Sequence, residues 1–316
     1  MDIYEALRPL TFNLHLAGLL FRWQGKCTAF FTATFLYTVT VFMGLVLFTY
    51  KQFYAYELGE SYGFSLTMKI MYHVLVFLVS ICSALMIYVS TKVWTFLDDW
   101  ISYRRMYCSP HWIPKKIRIR ICVGLTAASI YILCGISMGL VAVSNDNNLF
   151  GHVALVPWSR GQNNTDVPIP YKIIMSVAFL YGYLACMQSL LLYSILCYGL
   201  SLEFRSLTSI IKGKVATNQS FEGDLEQFRI QHGQICNLVS KMDNIFSCYI
   251  LCCFLTIIPV LCFLLYGLFH LKQVPVIDIV YVTALLSCFV LILMVIILFG
   301  TMLASAVRPM LLCLSR

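Results

Sequence analysis

The stretch Ile279-VYVTALLSCFVLILMVIILFGTMLASA-Val307 contains no Asp, Glu, Lys or Arg. A helix that crosses a bilayer needs about 20 mostly apolar residues, and this stretch exceeds that length. Five more runs free of formal charge precede it: Cys27 to Tyr50, Ile70 to Thr91, Ile121 to Asn145, Ile173 to Leu202 and Asn244 to Leu271. A transmembrane β-barrel would show alternating segments of about ten residues. Continuous apolar runs predict helices, whose backbone bonds are satisfied within each segment. The expected fold is an all-α polytopic transmembrane bundle with six spans.

Composition points the same way. Of 316 residues, 60% are hydrophobic and 11% charged, and the mean hydropathy is +0.82. A soluble domain carries roughly 25% charge, so this chain could not cover its surface with polar groups in water. Disorder, collagen and a small disulfide scaffold are excluded on the same grounds.

The chain divides into a cytoplasmic amphipathic segment over 1–26, a transmembrane bundle over 27–307 and a cytoplasmic tail over 308–316. In the first segment Ile3, Leu7, Leu10, Leu14, Ala17 and Phe21 fall at helical spacing. They predict a helix lying on the membrane or against a neighbouring helix. Asp2, Glu5 and Pro9 argue against a signal peptide.

Orientation follows from the cations, which are retained on the cytoplasmic side of short loops. With compartments numbered alternately from the N-terminus, 17 of the 22 Lys and Arg residues fall on the first side and 5 on the other. The N-terminus is therefore expected in the cytoplasm of a plasma-membrane protein. The net charge of +8 is accounted for by anionic lipid headgroups, without nucleic acid. Asn163-Asn164-Thr165 lies in a predicted outer loop and makes Asn163 a glycosylation candidate. The sequon Asn218-Gln219-Ser220 lies in a predicted inner loop. No cysteine occurs in the predicted outer loops 51–69, 144–172 or 272–278, and no Cys/His spacing predicts a metal site.

Catalytic motifs are missing: no Gly-rich phosphate loop, no G-x-S-x-G and no H-E-x-x-H. Neither an enzyme nor a cofactor is expected. The spans carry aromatic and polar residues in their outer or middle parts instead: Tyr72 and His73 in the second, Tyr181 and Gln188 in the fourth, Tyr266 in the fifth, and Asp278 and Tyr281 at the start of the sixth. An apolar cleft with a few polar groups is what a small-molecule site requires, and these residues can line one. Interfacial anchoring and helix–helix hydrogen bonding are their ordinary alternatives.

Before the fifth span, Leu225, Phe228, His232, Ile235, Val239, Met242 and Phe246 are spaced alternately by three and four. This is a heptad seam on a cytoplasmic helix over about 222–246 that runs into the membrane. It fits packing within one chain and contact between chains equally well. Pro259, inside the fifth span, is expected to kink it.

Ala6-Leu7-Arg8-Pro9-Leu10 with Gly18-Leu19 resembles the opening of insect gustatory receptors. The run from Phe228 to Phe246, with Gln231-His232, Ile235-Cys236-Asn237-Leu238-Val239 and Met242-Asp243-Asn244-Ile245-Phe246, is similar to the cytoplasmic helix of that family. The resemblance implies a taste chemoreceptor with a cytoplasmic N-terminus. It also implies a small-molecule tastant bound among the outer halves of the spans, and a cation channel assembled as a homo- or hetero-oligomer with other receptor subunits. The family has seven spans, and its Thr-Tyr and Gln-Phe signature lies in the seventh. This chain reaches Arg316 just past the sixth, so a truncated sequence or a product without the pore helix is expected. Odorant receptors of the same superfamily and six-span facilitative transporters are the alternatives. A G-protein-coupled receptor is opposed by the cation count.

Overall fold

The computed structural model describes residues 2–17, 19–20, 39–40, 43, 64–107, 110, 112–144, 169–214, 225–269 and 276–314. Six helices run through them: α1 (Ile3–Leu16), α2 (Phe64–Met106), α3 (Trp112–Ser144), α4 (Ile169–Lys214), α5 (Leu225–Phe269) and α6 (Val276–Leu314). Among the described residues there is no strand. The expected first span, 27–50, falls outside the described residues except for positions 39, 40 and 43. The other five expected spans lie on α2 to α6. Asn163 and the loop that carries it are also outside the described residues.

Glycine and proline set the helix limits. No Gly or Pro occurs between Phe64 and Ser109, and α2 continues for 43 residues until Pro110 disfavours helix at the residue before it. Pro114 and Pro170 sit in the first turns of α3 and α4, where a missing N–H costs nothing. At 46 residues, α4 is about 69 Å long by its rise per residue, more than twice a hydrocarbon core of about 30 Å. It therefore projects beyond the bilayer. Helix α5 runs through Pro259. Three stretches are long and apolar enough to cross a membrane among the described residues: Met187–Lys214, Glu226–Tyr266 and Val282–Val307.

Helix α4 is the axis of the bundle and packs against α1, α2, α3, α5 and α6. Leu192, Leu196, Cys197, Leu200 and Phe204 on it are fully enclosed. Its buried serines let neighbours come close, and Ser194 and Ser201 donate back to the carbonyls of Leu191 (2.9 Å) and Tyr198 (2.7 Å). By contrast Leu251, Leu255 and Ile258 on α5, and Leu291, Met294 and Leu298 on α6, are exposed. Those faces suit lipid.

Helix α1 starts at Asp2, whose carboxylate accepts from the Ile3 N–H at 2.7 Å. This is an N-cap. Ile3, Ala6, Leu7, Leu10 and Leu14 form its buried stripe, and the helix docks on α2, α3 and α4. Past its end, His15 Nδ1 donates to the Leu20 carbonyl at 2.9 Å, and Leu19 and Leu20 are enclosed. Phe228, Ile235, Met242 and Phe246 of the heptad seam are buried, and α5 packs on α2, α4 and α6 of the same chain. Phe246 meets Tyr193 at 5.5 Å between ring centroids, and His232 meets Phe204 edge-on at 5.9 Å. Val239 is half-buried, and the Leu225 side chain is not among those described.

Candidate functional site

Helices α2 and α4 run parallel. Their register is fixed where Trp100 lies beside Gly199 and Arg104 beside Glu203. The Arg104 and Glu203 side chains are 8% and 2% exposed and form an ion pair. Trp100 Nε1 also donates to Glu203 Oε1 at 3.4 Å, and Arg104 Nη2 donates to the Pro110 carbonyl at 3.0 Å. One buried carboxylate thus joins two donors from α2, and one guanidinium ties the turn into α3. Burial first, the Glu203 carboxylate next and then Tyr107 push the Tyr103 phenol up, so it stays protonated. Arg104 opposes them weakly. A Cβ on residue 199 would come within 2.9 Å of Trp100 Cζ2, so only glycine lets the indole lie against the α4 backbone. On the neighbouring face of α2, Asp99 accepts from Lys241 Nζ of α5 at 2.7 Å. That pair is partly solvated and contributes little to stability.

Higher in the bundle the polar groups are of another kind. Gln188 on α4 is 4% exposed, and its Oε1 has no hydrogen-bond partner among the described residues. Ser83 Oγ on α2 is also enclosed without one. A buried orphan acceptor costs about 1–3 kcal/mol and calls for a reason such as a ligand or a trapped water. These atoms offer an acceptor on α4 and a hydroxyl on α2 inside a mostly apolar interior.

The other expected ligand contacts divide as follows. Tyr72, His73 and Tyr181 lie on α2 and α4, and Asp278 and Tyr281 lie at the start of α6, but their side chains are outside those described. Tyr266 on α5 is 54% exposed, an environment unlike that of Gln188. Among the described residues, no group of three or more His, Cys, Asp or Glu side chains is placed to hold a metal ion. Sequence reasoning missed the Arg104–Glu203 pair. The available signal was Glu203 itself, the acid immediately following the fourth charge-free run.

No curated protein matches the chain. The family model described as 7tm odorant receptor matches residues 111–309, which takes in all of α3 to α5 and most of α6. That is well over half of the sequence, in an all-helical bundle with several helices apolar enough to span a membrane. The chain belongs to the 7tm odorant receptor family.

Proposed function

We propose that the chain is a chemoreceptor subunit of the gustatory type. It binds a small tastant among the outer halves of its membrane helices and, in the complete oligomer with other receptor subunits, gates a cation channel in the plasma membrane. The observation that carries this reading is Gln188, a buried amide carbonyl without a partner on the helix that touches every other described helix. A ligand donor that pairs with it relieves a desolvation cost already present in the free protein. Because α4 contacts all its neighbours, a change at Gln188 reaches the whole bundle. Ligand then shifts the gating equilibrium by its differential affinity for the two states. On the same reading the N-terminus is cytoplasmic, since the ends of α2 and α4 and the start of α3 carry the basic residues. Tyr72, His73, Tyr181, Tyr266, Asp278 and Tyr281 belong to the outer rim of this ligand region.

Its test is a panel of sugars, bitter alkaloids, amino acids and carbon dioxide applied to cells that express the chain, with current and calcium entry recorded. An active tastant should lose potency at least tenfold in Gln188→Leu, while the ligand-free variant melts no lower than the parent. Ligand-dependent flux without current would favour a facilitative transporter instead. A second reading, a receptor for volatile odorants, is favoured by the family matched. Responses to airborne esters or alcohols, with silence toward the tastants, would establish it.

A further inference from the structure

The first turns of α3 carry Lys115, Lys116, Arg118 and Arg120 and no acid. Cations there oppose the positive end of the helix dipole, so the local charge is unfavourable unless an anion neutralises it. Lys116 Nζ stands over the Trp112 ring at 4.5 Å, and the Arg120 guanidinium stands over Tyr198 of α4 at 4.9 Å. Arg205 and Lys212 follow Tyr198 on α4 at seven and fourteen positions, which is the same helix face, and both are exposed. Among the described residues none of Lys116, Arg205 and Lys212 is paired with a carboxylate. Lys116, Arg120 and Arg205 thus line one surface beside two aromatic rings, and Lys212 lies about 10 Å further along α4 than Arg205. Directly beside Lys116 and Arg120 on α3, the side chains of Ile119, Val123 and Ile130 are 63%, 62% and 58% exposed. These three lie on the Trp112 face of the helix.

We infer that this surface is a binding site for a polyphosphorylated inositol lipid of the inner leaflet. The headgroup phosphates sit among Lys116, Arg120 and Arg205, and an acyl chain follows Ile119, Val123 and Ile130. Guanidinium groups fit phosphate as two-pronged donors and lysines as mobile point charges. Basic clusters between helices at the cytoplasmic interface suit such headgroups. A singly charged lipid would leave most of the three cations unneutralised, which is the reason for choosing the polyphosphorylated class. The choice of leaflet rests on the cytoplasmic orientation in the proposed function; the headgroup site does not.

The test uses the full chain, purified in neutral detergent, with dioctanoyl phosphatidylinositol 4,5-bisphosphate as probe and thermal melting as readout. The lipid should raise the melting temperature with saturable, micromolar dependence. Arg120→Gln with Arg205→Gln should weaken it tenfold or more. The control Lys92→Gln with Arg229→Gln, which removes the same charge elsewhere, should leave it unchanged. If the first pair melts low without lipid, Lys116→Gln with Arg205→Gln serves in its place. Equal loss in the control, no melting shift in the parent, or an equal shift with dioctanoyl phosphatidylserine would overturn the site. Orientation is read separately from protease access to an N-terminal tag on intact cells. A tag cleaved from outside would overturn the inner-leaflet lipid as occupant even where micellar binding persists, so the two failures are distinguishable.

Discussion

Glu203, on the axial helix α4, accepts from both Arg104 and Trp100 of α2, four residues apart on one face. The Arg104 guanidinium also holds the Pro110 carbonyl. A single carboxylate therefore sets the register of two parallel helices and, through its partner, the turn that launches a third.

Removing that carboxylate leaves the buried guanidinium with the Pro110 carbonyl as its remaining acceptor among the described residues. Glu203→Ala should destabilise the protein by about 3–5 kcal/mol, the range for breaking a buried pair. Replacing both partners by apolar residues of similar volume, Arg104→Met with Glu203→Leu, should recover most of the loss. Melting in detergent of Arg104→Met, Glu203→Leu and the double variant forms the cycle. An additive double variant would show that the two charges are not coupled.

At Gly199 the expected effect is steric. Gly199→Ala drives a methyl into the Trp100 indole, which is held by Glu203 and cannot swing away freely. Overpacking of this kind costs about 1–3 kcal/mol. The same change at Gly124 faces the flexible end of Leu191 and should cost less. Equal melting temperatures for the two alanine variants would contradict the rigid-ring account.

His232 gives a pH dependence. Burial alone lowers its pKa below the ordinary imidazole value. Phe204 packs on its edge, and the Cys236 sulfur lies 3.5 Å from Nε2. The unfolded chain therefore binds this proton more readily than the folded one. Its contribution to stability is intact above the ordinary value of about 6.5 and is lost as pH falls through 6.5 toward the lowered value. Melting profiles between pH 7.5 and 5.5 should converge for the parent and His232→Gln at the acid end. A parallel offset across the whole range would mean that His232 acts only by packing.

Asp2 caps α1, and Asp2→Ala should cost about 1 kcal/mol of helix stability. Asp2→Asn keeps the acceptor and should cost much less, because the salt bridge to Arg105, 3.7 Å long and exposed, contributes little. Hydrogen exchange of the α1 amides distinguishes the two variants: faster exchange in both would shift the credit from the cap to the charge.

The apolar interiors of helices α2 to α6 were legible in the sequence as long charge-free runs, but not their limits: α2 covers Phe64–Met106 where the run covers Ile70 to Thr91, because charged residues continue a helix as readily as apolar ones. The inward faces were harder to read. In a bilayer, lipid and protein core are both apolar, so the hydrophobic pattern of α5 or α6 does not say which side faces protein. Gln188 and Tyr266 looked equivalent as polar residues in apolar helices, yet one is enclosed and the other exposed. The seam from Phe228 to Phe246 was readable because its opposite face carries exposed polar residues such as Glu226, Arg229 and Asn237, which contrast with the apolar one. Arg104 and Glu203 are far apart in the chain, and only the tertiary register of α2 on α4 shows that they meet. Nothing local distinguishes Arg104 from the exposed Arg105 beside it.

The docking of α1 on α2, α3 and α4 has a consequence for biosynthesis. The apolar stripe of Ile3, Leu7, Leu10 and Leu14 is made first, but its receiving groove is completed only after the ribosome has passed Lys214. At translation rates of about 5–20 residues per second, the nascent N-terminus carries an unsheltered greasy ridge for roughly 10–40 s. It must spend that interval on the membrane surface or in the grip of a chaperone. Substitutions in α4 that delay groove closure should therefore lower the yield of inserted protein before they alter the finished receptor.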